Sequence, residues 1–257
     1  MFDTYALSAG GVKATLEDGG DKWYFLTVDY AFGHSLEKET EQMVNELGGE
    51  IAGKSRHPLN NSDYASFLLQ AQSSGANVVA LANGAQDTIN SIKQAKEFGV
   101  GGDSQRLVAL LIFLSDLQAL GNDVAQGLTY VDGFYWDYDD ETRAFSERFG
   151  KAFRDQKPTM THAGVYSSVM HYLKAVAATE SVEGDVVAAK MREIPIEDEV
   201  MRNAEILPNG RVIHDMYLYK VKSPAEQAHQ WDVSELLATI PAAEAFEPLE
   251  RTTCKLQ

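Results

Sequence analysis

Lys22-Trp23-Tyr24-Phe25-Leu26-Thr27-Val28, continuing into Asp29-Tyr30-Ala31-Phe32-Gly33, is the stretch that decides the fold. Its first part is a β-branched and aromatic run, which reads as a strand. Gly33 to Leu47 then sets Leu36, Met43, Val44 and Leu47 at helical spacing, and Gly48-Gly49 stops the helix. The alternation repeats. Glu50 to Leu59 is a more polar strand, nearer an edge, and Ser62 is the expected N-cap of a helix lined by Tyr64, Phe67, Leu68 and Ala71. Asn77 to Ala82 is a short apolar strand, followed by a helix carrying Ile89, Ile92, Ala95 and Phe98 and ending at Gly99. Leu107 to Phe113 is continuously apolar, as a strand covered on both faces should be. A short helix at Leu117 to Ala125 leads to a fifth strand, Leu128 to Trp136. Short strand–helix connections imply βαβ crossovers, so the fold class is α/β, doubly wound around a mostly parallel sheet.

After Trp136 the pattern changes. Asp137 to Glu141 form an acidic cluster suited to a helix start. Helical stretches follow through Phe145, Phe149 and Phe153, from Thr161 to Thr179, and from Glu183 to Ile194. Only Arg211 to Val221 supplies a further strand, so these helices have no sheet of their own to cover.

The chain has 257 residues and a formal net charge of −16, which disfavours nucleic acid and anionic lipid as partners. Its longest apolar run, Leu107 to Leu114, falls far short of the ~20 residues that span a bilayer. Met1 to Leu7 has neither a basic region nor a long apolar stretch and does not read as a signal peptide. Cys254 is the only cysteine, so neither an intrachain disulfide nor a zinc cluster is expected.

Enzyme signatures are missing. No GxGxxG follows a strand, and no Walker loop, HExxH or GxSxG occurs. Ser35-Leu36-Glu37-Lys38 matches SxxK formally, but without its companion motif it reads as a solvated helix surface. His162 and His171 are not at chelating spacing and read as structural, and no cofactor is expected. What stands out is how the strands end. In open parallel sheets, ligands bind beyond the carboxyl ends of the strands. Those ends carry Tyr30 and Phe32, then Asn83 and Ala85, then Phe113, Ser115 and Asp116. Aromatic surfaces with a few polar anchors suit capture of a small solute. Asp116 is read both as a partner for an ammonium group and as a helix N-cap.

Trp23 to His34 resembles the strand and turn that open the second lobe of type I periplasmic solute-binding proteins of branched-chain amino-acid ABC transporters. Further similarities follow in order: Arg56-His57-Pro58-Leu59, Asp63-Tyr64 to Ala71, Asp87-Thr88-Ile89-Asn90, Gly127-Leu128 and Gly133 to Asp137. Pro158-Thr159-Met160, Ala163 to Ser167, Gly210-Arg211 and Asp215 to Leu218 continue them. The resemblance implies one complete lobe and an incomplete second, since the family's chains are longer by about a third at the N-terminus.

In these terms residues 1–11 are an interlobe crossing and 12–136 the complete lobe. Residues 137–215 are the helical remainder of the first lobe, and 216–257 a third crossing with a tail on the complete lobe. Hinge strands are expected at Tyr5 to Ala9, Phe134 to Asp139 and Met216 to Tyr219. The resemblance implies a non-enzymatic, periplasmic substrate-capture component working by hinge closure. Its partners would be a small ligand (an amino acid, or a branched or aromatic acid) and a membrane permease. Phe32 takes a ligand-wall position where many members carry Tyr, which makes this wall more apolar. Two other readings stand beside it: a cytosolic sensor of the same fold, and a hydrolase using Asp29 or Asp116 as base.

Overall fold

The computed structural model describes residues 1–102 and 105–252; Cys254 lies outside them. The chain divides into two compact units. The larger holds Phe2–Asp132 and Tyr217–Thr239; the smaller holds Met1, Gly133–Met216 and the chain from Ile240 onward.

The larger unit is built on strands β1 (Lys22–Val28), β2 (Glu50–His57), β3 (Val78–Ala82), β4 (Arg106–Ala109), β5 (Thr129–Asp132), β8 (Met216–Val221) and β9 (Ser234–Ile240). They lie in the order β2-β1-β3-β4-β5-β8-β9. Pairing is parallel from β2 through β5, and β8 joins β5 antiparallel, so the sheet is mixed. Helices α1 (Thr4–Glu17), α2 (Ala31–Glu46), α3 (Ala65–Ser73), α4 (Ala85–Glu97), α5 (Leu114–Leu120) and α6 (Asn122–Ala125) complete it. Every residue of β3 is buried, as its unbroken apolar run requires, whereas the polar β2 is largely half-exposed at the sheet edge.

Several expectations are corrected here. Residues 4–17 are helical, so Tyr5 to Ala9 is no extended crossing; the chain passes between units after Met1, Asp132, Met216 and Thr239. The tail from Ile240 groups with the smaller unit, not with the larger one. β4 stops at Ala109, because β5 pairs with only Val108 and Ala109; Leu110 to Phe113 leave the sheet toward α5. The α3 N-cap is Tyr64, and Ser62 lies outside the helix.

Gly33 seats α2 on β1. A Cβ there would lie 2.1 Å from the Val28 carbonyl oxygen, so no other residue fits without moving the helix start. One turn later Glu37, expected on the solvated face, is buried. Thr27 donates its hydroxyl to Glu37 Oε2 at 2.5 Å and Arg56 donates to Oε1 at 3.0 Å, with Lys54 Nζ 3.5 Å away. The carboxylate therefore fastens α2 to both β1 and β2. Ser35 and Lys38 stay on the outside.

In the smaller unit, helices α7 (Asp140–Ala152), α8 (Met160–Thr179) and α9 (Gly184–Glu193) stand beside a hairpin of β6 (Glu205–Ile206) and β7 (Val212–Ile213). Asp139 caps α7 through the Thr142 N–H at 2.8 Å, and Arg202 reaches Asp139 at 2.7 Å and Glu141 at 3.0 Å. The Phe145 ring meets Tyr166 at 4.8 Å, joining α7 to α8. His171 donates from Nε2 to the Met191 carbonyl at 2.8 Å, as a structural residue between α8 and α9. The opposite face of α8 shows Val165, Val169, Tyr172 and Leu173 to solvent.

Burial alone would raise the Glu37 carboxyl, but hydrogen bonds from Arg56 and Thr27 and the charges of Arg56 and Lys54 outweigh it and hold it below its ordinary 4.5. A carboxyl lowered on folding stabilises fully above its unfolded pKa, and that contribution disappears as pH falls through the folded value. Glu37→Gln should cost about 1–3 kcal/mol at neutral pH. It should also flatten the acid side of the stability profile, read from urea midpoints between about pH 7 and pH 3. An unchanged acid slope would show that Glu37 carries no such linkage.

Candidate functional site

The carboxyl ends of β1, β3 and β4 stand side by side on the larger unit, and each leads into a helix, the last through Leu110 to Phe113. After β1, the close seating of Gly33 turns the chain so that Tyr30 and Phe32 flank the start of α2. Their rings lie 6.0 Å apart, with Tyr30 exposed and Phe32 half-exposed. Phe32 leans over the end of β3: a Cβ on Gly84 would sit 3.8 Å from its Cε1 and 3.4 Å from Leu111 Cδ2. Gly84 and Leu111 are therefore a low apolar floor beside the Phe32 ring. After β4, Phe113 is half-exposed, and its ring centre lies 6.3 Å from that of Phe2. Ala85 and Ser115 are exposed on the same strand ends, and Ala85 holds a left-handed φ of 52° at the start of α4. That conformation costs an alanine about 1–2 kcal/mol, so the surroundings must enforce it.

Five of the seven expected residues thus stand at the surface of these strand ends: Tyr30, Phe32, Ala85, Phe113 and Ser115. Asn83 does not. Its side chain is fully buried. The amide donates to His57 Nε2 at 3.2 Å and to Ser91 Oγ at 3.4 Å, and its oxygen accepts from Thr88 Oγ1 at 2.8 Å. His57 donates from Nδ1 to the Pro58 carbonyl at 2.9 Å, which leaves Nε2 as the acceptor. Burial pushes His57 below its ordinary pKa, against the opposing Pro58 carbonyl and Asp87 charge, in keeping with a neutral ring. Asp116 is a cap: its carboxylate accepts from the Phe113 N–H at 3.1 Å, and burial raises it against that bond. Leu111 and Phe2 escaped the sequence reading of the site, and Gly84 was read only as part of the end of the third strand.

Beneath the surface, Asp87 accepts from the Asn60 N–H at 3.0 Å, from the Asn61 N–H at 2.9 Å and from the Tyr64 hydroxyl at 2.9 Å. Burial and Asp87 together push the Tyr64 hydroxyl far up, so it remains a donor. Tyr64, Asp87 and Thr88, from two of the similar stretches, therefore lie in the buried support beneath these strand ends.

Asp29 and His34 share a 2.7 Å hydrogen bond on this face. Among the described residues, no cluster of His, Cys, Asp and Glu is placed to hold a metal ion. No helix among them is long and apolar enough to cross a membrane. A separate cavity, lined by Ile92, Lys96, Leu107, Val124 and Leu128, opens where β4 and β5 begin, away from these strand ends.

Replacing Asn83 with Leu strands His57 Nε2 inside the protein and leaves the Thr88 hydroxyl only its longer 3.4 Å bond to the Leu111 carbonyl. We expect a loss of about 1–3 kcal/mol in urea unfolding. A ligand-wall residue would instead leave stability within about 0.5 kcal/mol, and that result would return Asn83 to the surface.

Comparison with known proteins follows the same geometry. The profile of the family described as periplasmic binding protein matches residues 1–228. A solved periplasmic binding protein from Burkholderia mallei is 45% identical, superposes with a TM-score of 0.92, and covers 98% of this chain and 66% of its own. A branched chain amino acid ABC transporter periplasmic ligand-binding protein from Burkholderia xenovorans LB400 is 35% identical, with a TM-score of 0.91, covering 99% and 68%. A Leu/Ile/Val-binding protein homolog from Brucella melitensis is 25% identical over 189 residues, which are 68% of this chain and 45% of that protein. The chain therefore spans about two thirds of the solved relatives and under half of the curated one. Matched by the family profile over most of its length and 45% identical to a solved member, the chain belongs to the periplasmic binding protein family.

Proposed function

We propose that the chain captures small organic carboxylates, amino acids among them, as the solute-binding component of an ABC importer. The observation that carries this reading is the exposed wall of Tyr30 and Phe32 beside the Gly84–Leu111 floor, at the carboxyl ends of parallel strands. An apolar wall of that kind holds a hydrocarbon body. The starts of α2 and α4 add helix N-termini, whose free N–H groups favour a carboxylate. The Burkholderia xenovorans relative, described as belonging to a branched chain amino acid transporter, supports the same ligand class.

Placement in the periplasm, closure about a hinge and delivery to a membrane permease belong to the same proposal. Membership of a family of periplasmic binding proteins supports them. No bond is made or broken in this reading, so a captured solute leaves unchanged. Its free energy goes into holding the bound state, which shifts the population toward it.

The test is a thermal-shift screen of the chain against amino acids and small aromatic and branched acids. A ligand present at about 100-fold its Kd should stabilise by about 2.7 kcal/mol, a rise of roughly 5–10 °C in Tm for a chain of this size. Recovery of the ligand unaltered by mass spectrometry should accompany it. A flat response across the panel, or turnover of a panel member, would contradict the reading.

A further inference from the structure

Beyond solute capture, we infer that the open edge of β9 is a docking surface for a second copy of this chain, which pairs antiparallel through Leu236 to Ala238 about a two-fold axis at Leu237.

The two edges of the seven-stranded sheet are built differently. At one edge, β2 carries Lys54 and Arg56, and its pairing with β1 shifts register at Trp23 and Tyr24. Charges and bulges of this kind keep an edge from recruiting another strand. At the other edge, β9 has neither a lysine nor a proline. Glu235 through Thr239 are exposed without a break, which no other strand among the described residues shows. Leu236 is 43% and Leu237 48% exposed, and neighbours in a strand point to opposite faces, so both faces of this edge offer apolar surface.

The backbone sets the register. Lys222 donates its N–H to the Val233 carbonyl. Val233 and, by alternation, Glu235, Leu237 and Thr239 therefore direct their peptide groups toward β8. Leu236 and Ala238 direct theirs to the open side. With an antiparallel copy centred on Leu237, Leu236 exchanges both backbone bonds with the partner's Ala238, and Ala238 with the partner's Leu236. Leu237 meets the partner's Leu237 as the close pair at the centre, where side chains come nearest. Glu235 falls opposite the partner's Thr239, so no like charges face each other across the seam. The same patch serves both copies, so the pairing closes as a dimer and does not propagate.

Charge permits it. A net charge of −16 opposes self-association of the chain as a whole. The edge itself is balanced, because Lys220 pairs with Glu235 at 3.7 Å and Lys222 with Asp232 at 2.5 Å. β5 and β8 stand between β4 and β9, so the strand ends that carry Tyr30, Phe32 and Phe113 stay open in such a dimer.

The experiment is sedimentation velocity of the chain over about a hundredfold range of concentration, at low and at raised salt. We expect conversion to a species of twice the mass, and at lower concentration in raised salt, because screening weakens the repulsion between two negative chains. Leu237→Lys sets two ammonium groups face to face at the axis, on a side chain that already reaches solvent. It should weaken pairing by about tenfold or more, with the circular dichroism spectrum unchanged. Val169→Lys, on the exposed face of α8, should leave pairing as it is. Hydrogen exchange at rising concentration should protect the amides of Leu236 and Ala238 and leave that of Leu237 unaltered. A single monomer mass throughout, a dimer that survives Leu237→Lys, or a dimer that Val169→Lys abolishes would overturn the inference.

Discussion

The buried amide of Asn83 is the constraint on which the rest of the site depends. It ends β3 in a place with no water to satisfy it, so it must find partners within the protein. It finds them on His57 at the end of β2 and on Thr88 and Ser91 in the first turns of α4. Those bonds fix where one strand stops and where the next helix begins. Thr88 in turn lies 3.4 Å from the Leu111 carbonyl, which brings the exit of β4 into the same set. Gly84 and Ala85, caught between Asn83 and Thr88, have no freedom to relax, and the left-handed backbone of Ala85 follows from that. A surface organised in this way is set before any ligand arrives, which lowers the ordering cost of binding.

The polar clusters share one arrangement. The middle of the sheet is packed with Phe25, Leu26, Val79, Ala80 and Leu81, all without exposure. Buried polar groups gather toward the strand ends: Thr27 with Glu37 on β1, His57 on β2, Asn83 on β3. Each ties a strand to a neighbouring helix or strand in a way that apolar contact, being non-directional, cannot. Apolar burial holds the sheet together, and the directional bonds aim its ends. Above them sit Tyr30, exposed, and Phe32 and Phe113, each half-exposed.

Where a pattern is strongly periodic, the sequence reading and the structure coincide. β1 runs from Lys22 to Val28 in both, and β3 differs by one residue, because buried parallel strands are unbroken apolar runs. Asp139 caps α7 within the acidic cluster that announced it. The misses have physical causes. Residues 4–17 contain the helix-weakening pair Gly10-Gly11, yet α1 forms because that side of the helix packs closely, with Gly11 against Val131. Leu110 to Phe113 are as apolar as the strand before them, and only the shortness of the β5 pairing ends it. Glu37 looked like helix surface because burial of a carboxylate depends on Thr27 and Arg56 arriving from other strands. Asn83 has a plainer cause: the chain pattern tells which residues follow a strand, and not which way their side chains turn, whereas of the two readings of Asp116 the structure keeps the cap. Glycine and aromatic positions were easier to place, since Gly33 admits no side chain and exposed rings beside a sheet end have few other uses.

The most direct test of a solute face at the carboxyl ends of β1, β3 and β4 is a residue-resolved NMR titration of the chain with a carboxylate that binds it. The account predicts shifts concentrated at the amides and rings of Tyr30, Phe32, Ala85, Phe113 and Ser115. Arg106, Gly127 and Lys220, around the opposite end of the sheet, should stay still. Shifts centred on that opposite end, or on Phe145 and Tyr166 in the smaller unit, would contradict it.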